Sequence, residues 1–132
     1  MHEIPVIRVE YLQHDQKGDR WKLLEHMPFN TPLGPVIVPA GFVTDFASVP
    51  KIVWSFIPPM GPYAAAAVLH DWWYENRLGV EQFGNWKARK MADEQFYRDM
   101  VAADPDARNR NRLMYQAVRL FGKSAWEGKP PL

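Results

Sequence analysis

The sequence predicts an α+β domain, in which a small N-terminal antiparallel β-sheet is followed by three helices, the first two forming an antiparallel hairpin. Three observations carry that prediction. Up to residue 50 the chain offers short runs rich in β-branched and aromatic residues, broken by polar or proline-containing segments. From Gly61 onward, apolar residues recur at three- and four-residue steps. No repeat, low-complexity tract or linker interrupts the chain, and 132 residues at 47% hydrophobic and 14% aromatic can bury a core. The expectation is one domain over 1–132, with 1–50 mostly strand and loop and 61–122 helical.

The elements follow in order. "IPVIRVEYL" (4–12) and "RWKLLEHM" (20–27) read as strands, and the polar "QHDQKGD" between them as a hairpin connection. "GPVIVPAGF" (34–42) reads as a third strand. Its prolines at 35 and 39 cannot donate to a ladder, which places it at an edge. Pro62 suits a first helical turn, and "YAAAAVLHDWWYEN" continues helix one until Gly79. Asn85 is positioned to cap helix two, "WKARKMADEQFYRDMVAA", where Trp86, Lys90, Asp93, Phe96, Tyr97 and Met100 share a face. Helix three opens with Asp104 as cap and Pro105 as first residue, runs through "NRLMYQAVRLF" and stops at Gly122. The tail "KSAWEGKPPL" is pinned by Trp126.

Composition narrows the function classes. A net charge of +1 argues against an electrostatic grip on nucleic acid, and Arg108, Arg110, Arg112 and Arg119 read as a solvated helix face. The absence of cysteine excludes disulfides, thiolate metal sites and a thiol nucleophile. The N-terminus lacks a basic start and apolar run, and no stretch approaches the ~20 apolar residues that span a bilayer. The expectation is a soluble chain made in the cytoplasm, with export by another route left open.

Two polar residues sit where apolar stripes should continue. Helix one aligns Tyr63, Ala66, Ala67, His70 and Tyr74, and helix two carries Asp93 in mid-stripe. If the helices fold back about a turn centred between Glu81 and Gln82, position 70 lies level with 93, 74 with 89, and 66 and 67 with 97 and 96. A buried carboxylate and a buried imidazole then satisfy each other. The pair is either a structural clamp or a catalytic dyad, since a carboxylate on one ring nitrogen fixes the tautomer and strengthens the other nitrogen as a base. Asp71 points about 100° away, toward "GFVTDFASVP" (41–50), where Thr44, Asp45 and Ser48 alternate with apolar residues. Asp45 and Ser48 form either a local capping arrangement or, for Asp45 with Asp71, oxygen ligands for a hard cation such as calcium or magnesium.

Two resemblances bear on these residues. "VPAGFVTDFASVPK", Trp54, "GPYAAAAVLHDWWY", "ADEQFYRDM" and "AVRLFG" together resemble domain-of-unknown-function family 1353, found in tailed phages and prophages. That resemblance implies phage origin rather than an activity. "HDWWYEN" followed by "ADEQFYRDM" is similar to the histidine and aspartate helices of the small secreted phospholipases A2 of bacteria and fungi. There the histidine activates a water, the adjacent aspartate binds calcium, and an aspartate on the facing helix orients the histidine. The resemblance implies those roles for His70, Asp71 and Asp93, and Tyr74 matches the tyrosine four residues on. The sequence departs at the calcium loop, where "SFIPPMGPY" has one glycine and three prolines.

The expected function is a hydrolase of a lipid ester of the host envelope, with His70 as base to a water and Asp93 orienting it. Asp71, with Asp45, would hold the calcium. Trp54, Phe56, Trp72, Trp73 and Trp86 would line an apolar channel or simply build the core. The alternative is a non-enzymatic phage virion, tail or lysis-cassette interaction protein, with the same residues as a structural cluster. A metal phosphohydrolase is disfavoured because His2, His14 and His26 lie in the strand half.

Overall fold

The structure is a computed structural model describing residues 4–15, 18–46, 48–54 and 61–128. Phe56, His2 and most of "SFIPPMGPY" lie outside the described residues.

The strand half forms two sheets rather than one. β1 (Val9–Asp15) and β2 (Gly18–Leu23) pair antiparallel, and β2 pairs on its other side with the short β5 (Val43–Thr44). β3 (Met27–Thr31) and β4 (Gly34–Val38) make a separate two-stranded hairpin. β3 was not foreseen, because "MPFNT" contains a proline and its period is only two residues deep. In a two-stranded ribbon both strands are edges, so Pro28 and Pro35 are tolerated there. The alternation still holds. Met27, Phe29 and Val38 are buried while Pro28, Pro35 and Ile37 face outward.

A short helix α1 (Lys51–Trp54) leads to α2 (Ala64–Asn76), which carries the run of alanines against the core. Its near-total burial explains why no single stripe dominates it. α3 (Val80–Ala103) contains one non-helical residue, Gly84, at φ 82° and ψ 166°. That conformation is open to glycine alone among ordinary residues. The segment 77–85 is therefore not a plain connection: it holds a turn and one short helical piece before the straight part of α3 begins at Asn85. Asn85 does not cap with its side chain, and its Oδ1 instead accepts the Trp126 indole N–H at 3.2 Å. That bond and 4% exposure hold Trp126 against the body, while residues 129–132 of the expected tail lie outside the described residues.

α4 (Arg108–Phe121) starts later than Asp104 and Pro105 suggest. Residues 104–107 form a turn whose Asp104 carbonyl accepts from Ala107 N–H and Asn111 Nδ2. α5 (Lys123–Trp126) follows directly and packs back on α2. α2 packs on α3 and α3 on α4, so α3 is the middle helix of the layer. Trp73 is fully buried, Trp54 and Trp72 are half-buried, and Trp86 is 68% exposed, so the tryptophans divide between core and surface. No helix among the described residues is long and apolar enough to cross a membrane.

Candidate functional site

The α2/α3 register places His70 Nε2 2.6 Å from Asp93 Oδ1, with both side chains at 0% exposure. The level positions 74 and 89 also meet, Arg89 Nη1 donating to the Tyr74 hydroxyl at 3.3 Å. The imidazole is gripped between two rings, Tyr74 at 4.2 Å and Phe96 at 4.7 Å between centroids. It has no room to rotate without moving one of them.

Asp93 is the hub of a larger network. Its Oδ1 accepts from His70 and from the Tyr74 hydroxyl at 2.6 Å, and its Oδ2 from Arg119 Nη1 at 2.7 Å and Arg89 Nη1 at 3.4 Å. Arg89 further donates to the carbonyls of Val118 and Arg119, which ties α3 to the end of α4. Burial alone would push the Asp93 carboxyl up, but the bonds from His70, Tyr74 and Arg119 outweigh it and hold the group below the ordinary carboxylate range. Burial and the adjacent Asp93 charge push the Tyr74 phenol far up, so it stays a donor. Arg119 thus belongs to the site and not to the solvated face. Its sequence setting gives no sign of this, whereas Arg89 stands four residues before Asp93 on one helix, a spacing that does signal a pair.

Asp71, one step further round α2, faces Thr44 and Ser48. Thr44 Oγ1 bonds Asp71 Oδ2, while Ser48 bonds Oδ1 through both its hydroxyl and its backbone N–H, the latter at 3.0 Å. The two residues reach both oxygens because Phe46 takes a left-handed backbone at φ 58°. For a buried aromatic residue that conformation costs on the order of 1 kcal/mol. It is held by Phe46 N–H on Thr44 Oγ1 at 3.1 Å and by the Trp54 indole and Val49 N–H on the Phe46 carbonyl. Strain of this kind gathers where a chain must present particular side chains, here Thr44 and Ser48.

Ser48 joins the two halves. Its Oγ lies 2.8 Å from His70 Nδ1, so the imidazole stands between a hydroxyl and a carboxylate. The series Asp71 Oδ1, Ser48 Oγ, His70 Nδ1, His70 Nε2, Asp93 Oδ1 contains three contacts, and each needs one hydrogen. A serine hydroxyl and a singly protonated imidazole supply only two when both carboxyls are ionised. A third hydrogen, on Asp71 or on His70 Nδ1, would complete the series. Asp93, facing two guanidiniums, is not its place. Burial pushes the Asp71 carboxyl above its ordinary range, and the bonds from Ser48 and Thr44 recover only part of that. Ser48 Oγ bonds both Asp71 Oδ1 and His70 Nδ1, and its single hydrogen serves one of them at a time, while Nε2 faces Asp93.

Asp45 has a different setting from Asp71. It is exposed, and it acts with Asp71 as a like charge on Glu75, whose carboxyl is raised by burial first and by these neighbours second. Among the described residues no group of three His, Asp or Glu converges on one point. A calcium ion at Asp71 would have to displace the Thr44 and Ser48 hydroxyls or take them as ligands. As placed, the donors fit a hydrogen-bonded carboxyl rather than a cation cage. A cleft of about 760 Å³, lined by Trp86, Trp126, Arg77 and Lys123 among others, meets the network at Arg89, on the Asp93 side of the imidazole.

A family model described as "Protein of unknown function (DUF1353)" matches residues 21–118, a span that includes every residue of the network except Arg119. No curated protein and no solved structure matches. With the greater part of its length under that model, the chain belongs to the DUF1353 family.

Proposed function

We propose that this domain is an ester hydrolase in which His70 is the general base and Asp93 the group that positions it, acting on a lipid ester of a phage host's envelope. One observation supports this above the others. The imidazole is fixed in a single orientation with Nε2 on a carboxylate and Nδ1 on a hydroxyl. In that state Nδ1 can receive a proton, and the resulting imidazolium is stabilised by Asp93 at 2.6 Å. Arg89 and Arg119 keep Asp93 anionic while this happens, and Tyr74 keeps its oxygen aimed. The likeness of both helices to the secreted phospholipases A2 supplies the substrate class. Calcium enters as an added component of the assay, since the reading does not route a step through it.

A second reading is favoured by a different observation. His70, Asp93 and Thr44 are at most 2% exposed, and each has partners, as a structural clamp would. Trp86, Leu113, Leu120 and Phe121 are meanwhile more than half exposed, as on an interaction module of a phage particle. The test is release of fatty acid from phospholipids of several head groups and hydrolysis of a short-chain ester, with and without calcium. Hydrolysis that disappears in His70→Gln at unchanged fold supports the enzyme. No hydrolysis by the wild-type chain under any of these conditions leaves the interaction module.

A further inference from the structure

We infer that Ser48 is the nucleophile of this site, so that the ester is cleaved through a covalent acyl-enzyme and not by direct attack of water. This rests on the hydrolase reading above and departs from the water mechanism that the phospholipase likeness implies.

Three features point to Ser48. The nitrogen that would hold an attacking water is already occupied, by Ser48 Oγ at 2.8 Å. The same hydroxyl is also bonded to Asp71 Oδ1, so it stands between the carboxyl and the imidazole. With its hydrogen turned to Nδ1 at 2.8 Å, Ser48 has the geometry of a hydroxyl engaged by its base. Finally, Ser48 is positioned from the backbone as well as the side chain. Its N–H is bonded to Asp71 Oδ1 at 3.0 Å, two residues after the left-handed Phe46. A hydroxyl, an imidazole and a carboxylate from three separate elements are thus in line at 2.8 and 2.6 Å, and Asp71 is a positioning residue behind the hydroxyl.

The steps balance without any external reagent beyond water. Ser48 Oγ bonds to the ester carbonyl carbon as its proton passes to His70 Nδ1. The carbon's bond to the alcohol oxygen breaks, and that oxygen leaves with the proton from Nδ1. Water then attacks the acyl carbon and gives a proton to Nδ1, the bond to Oγ breaks, and Oγ recovers the proton. Ser48 is 5% exposed, so the first step requires the side chains packed over its hydroxyl to move aside.

The full chain is treated with a fluorophosphonate probe and, separately, with a p-nitrophenyl short-chain ester under rapid mixing. The expected result is a covalent adduct found by mass spectrometry on the peptide containing Ser48, and a burst of about one equivalent of nitrophenol. Ser48→Ala should lose the burst and at least about 10³-fold of turnover. Because the labelling is done on the wild-type chain, a variant that folds poorly does not blunt the test. Ser48→Ala retaining turnover within tenfold, while His70→Gln abolishes it, overturns the nucleophile and leaves the hydrolase reading standing with water as attacker. Absence of both adduct and hydrolysis in the wild-type chain overturns both.

Discussion

Replacing Asp93 by Asn removes one charge from the centre of the network at almost no change in shape. The carboxylate accepts from four side chains, two on each oxygen. An amide offers one accepting oxygen and one donating NH₂. Turned one way, its NH₂ meets the His70 and Tyr74 donors, and turned the other way it meets Arg119 and Arg89. Both guanidiniums also lose their counter-charge where they are only 21% and 11% exposed. Breaking a buried pair by removing one partner costs ~3–5 kcal/mol. Arg89 keeps its bonds to the Val118 and Arg119 carbonyls and both arginines keep some water, so the lower end, ~3 kcal/mol, is expected. Against a total of ~5–15 kcal/mol for a domain of this size, that is a large fraction. With a urea slope of ~1–3 kcal/mol/M the unfolding midpoint should fall by about 1–3 M. Tryptophan fluorescence in a urea titration at neutral pH reads this, with far-UV circular dichroism checking that the native fold is retained at zero denaturant. A midpoint within about 0.3 M of the wild type, at unchanged slope, would refute the hub role.

The two carboxyls also give opposite pH signatures. Asp93 is held below its ordinary range, so its contribution is fully present above the unfolded value near ~4 and is lost as pH falls through the lower folded value. Asp71 is held above its ordinary range, so the fold is favoured most below the unfolded value and loses that advantage as pH rises toward the higher folded one. Asp71→Asn, which mimics the protonated carboxyl, should abolish the second limb and keep the acid limb, as read by melting temperature across pH 3–8 (about that window by the reference values). A wild-type-like profile in Asp71→Asn would remove the proton from Asp71. Gly122→Ala tests the close approach of α4 to the site. The added methyl would overlap the Val118 carbonyl oxygen and lie 2.7 Å from the Tyr74 hydroxyl and 3.2 Å from Arg89 Nη1. It should destabilise by about 1–3 kcal/mol through forced shifts, and a neutral thermal melt would show that Tyr74 and Arg89 are not held there.

How far the sequence carried this site depends on which contacts are local to a helix hairpin. The pairing of His70 with Asp93 and of Tyr74 with Arg89 follows from helical spacing and one assumed turn, and both bonds are present. The direction of Asp71 toward Thr44 and Ser48 follows from the 100° step after His70. Arg119 was out of reach because its contact with Asp93 depends on how α4 crosses α3, which no spacing within either helix encodes. The bond between Ser48 and His70 was missed for a related reason. It requires the left-handed Phe46, and a phenylalanine carries no sequence signal for that backbone. In the strand half, "MPFNT" was too short and too interrupted by proline to stand out, and the sheet divided where one was expected. Gly84 was legible as a glycine but not as the break that lets a helical piece precede Asn85.

The hydrogen positions on His70 test the account most directly. A ¹⁵N-edited spectrum of the imidazoles at neutral pH, assigned by loss of one set of signals in His70→Gln, reports which ring nitrogens carry hydrogen. A Ser48 nucleophile served by His70 requires hydrogen on Nε2, in a short bond to Asp93, and none on Nδ1, which accepts from Ser48. A buried ring protonated on both nitrogens would contradict it. The third proton would then sit on the imidazole, Ser48 would turn to Asp71, and the site would have no free base.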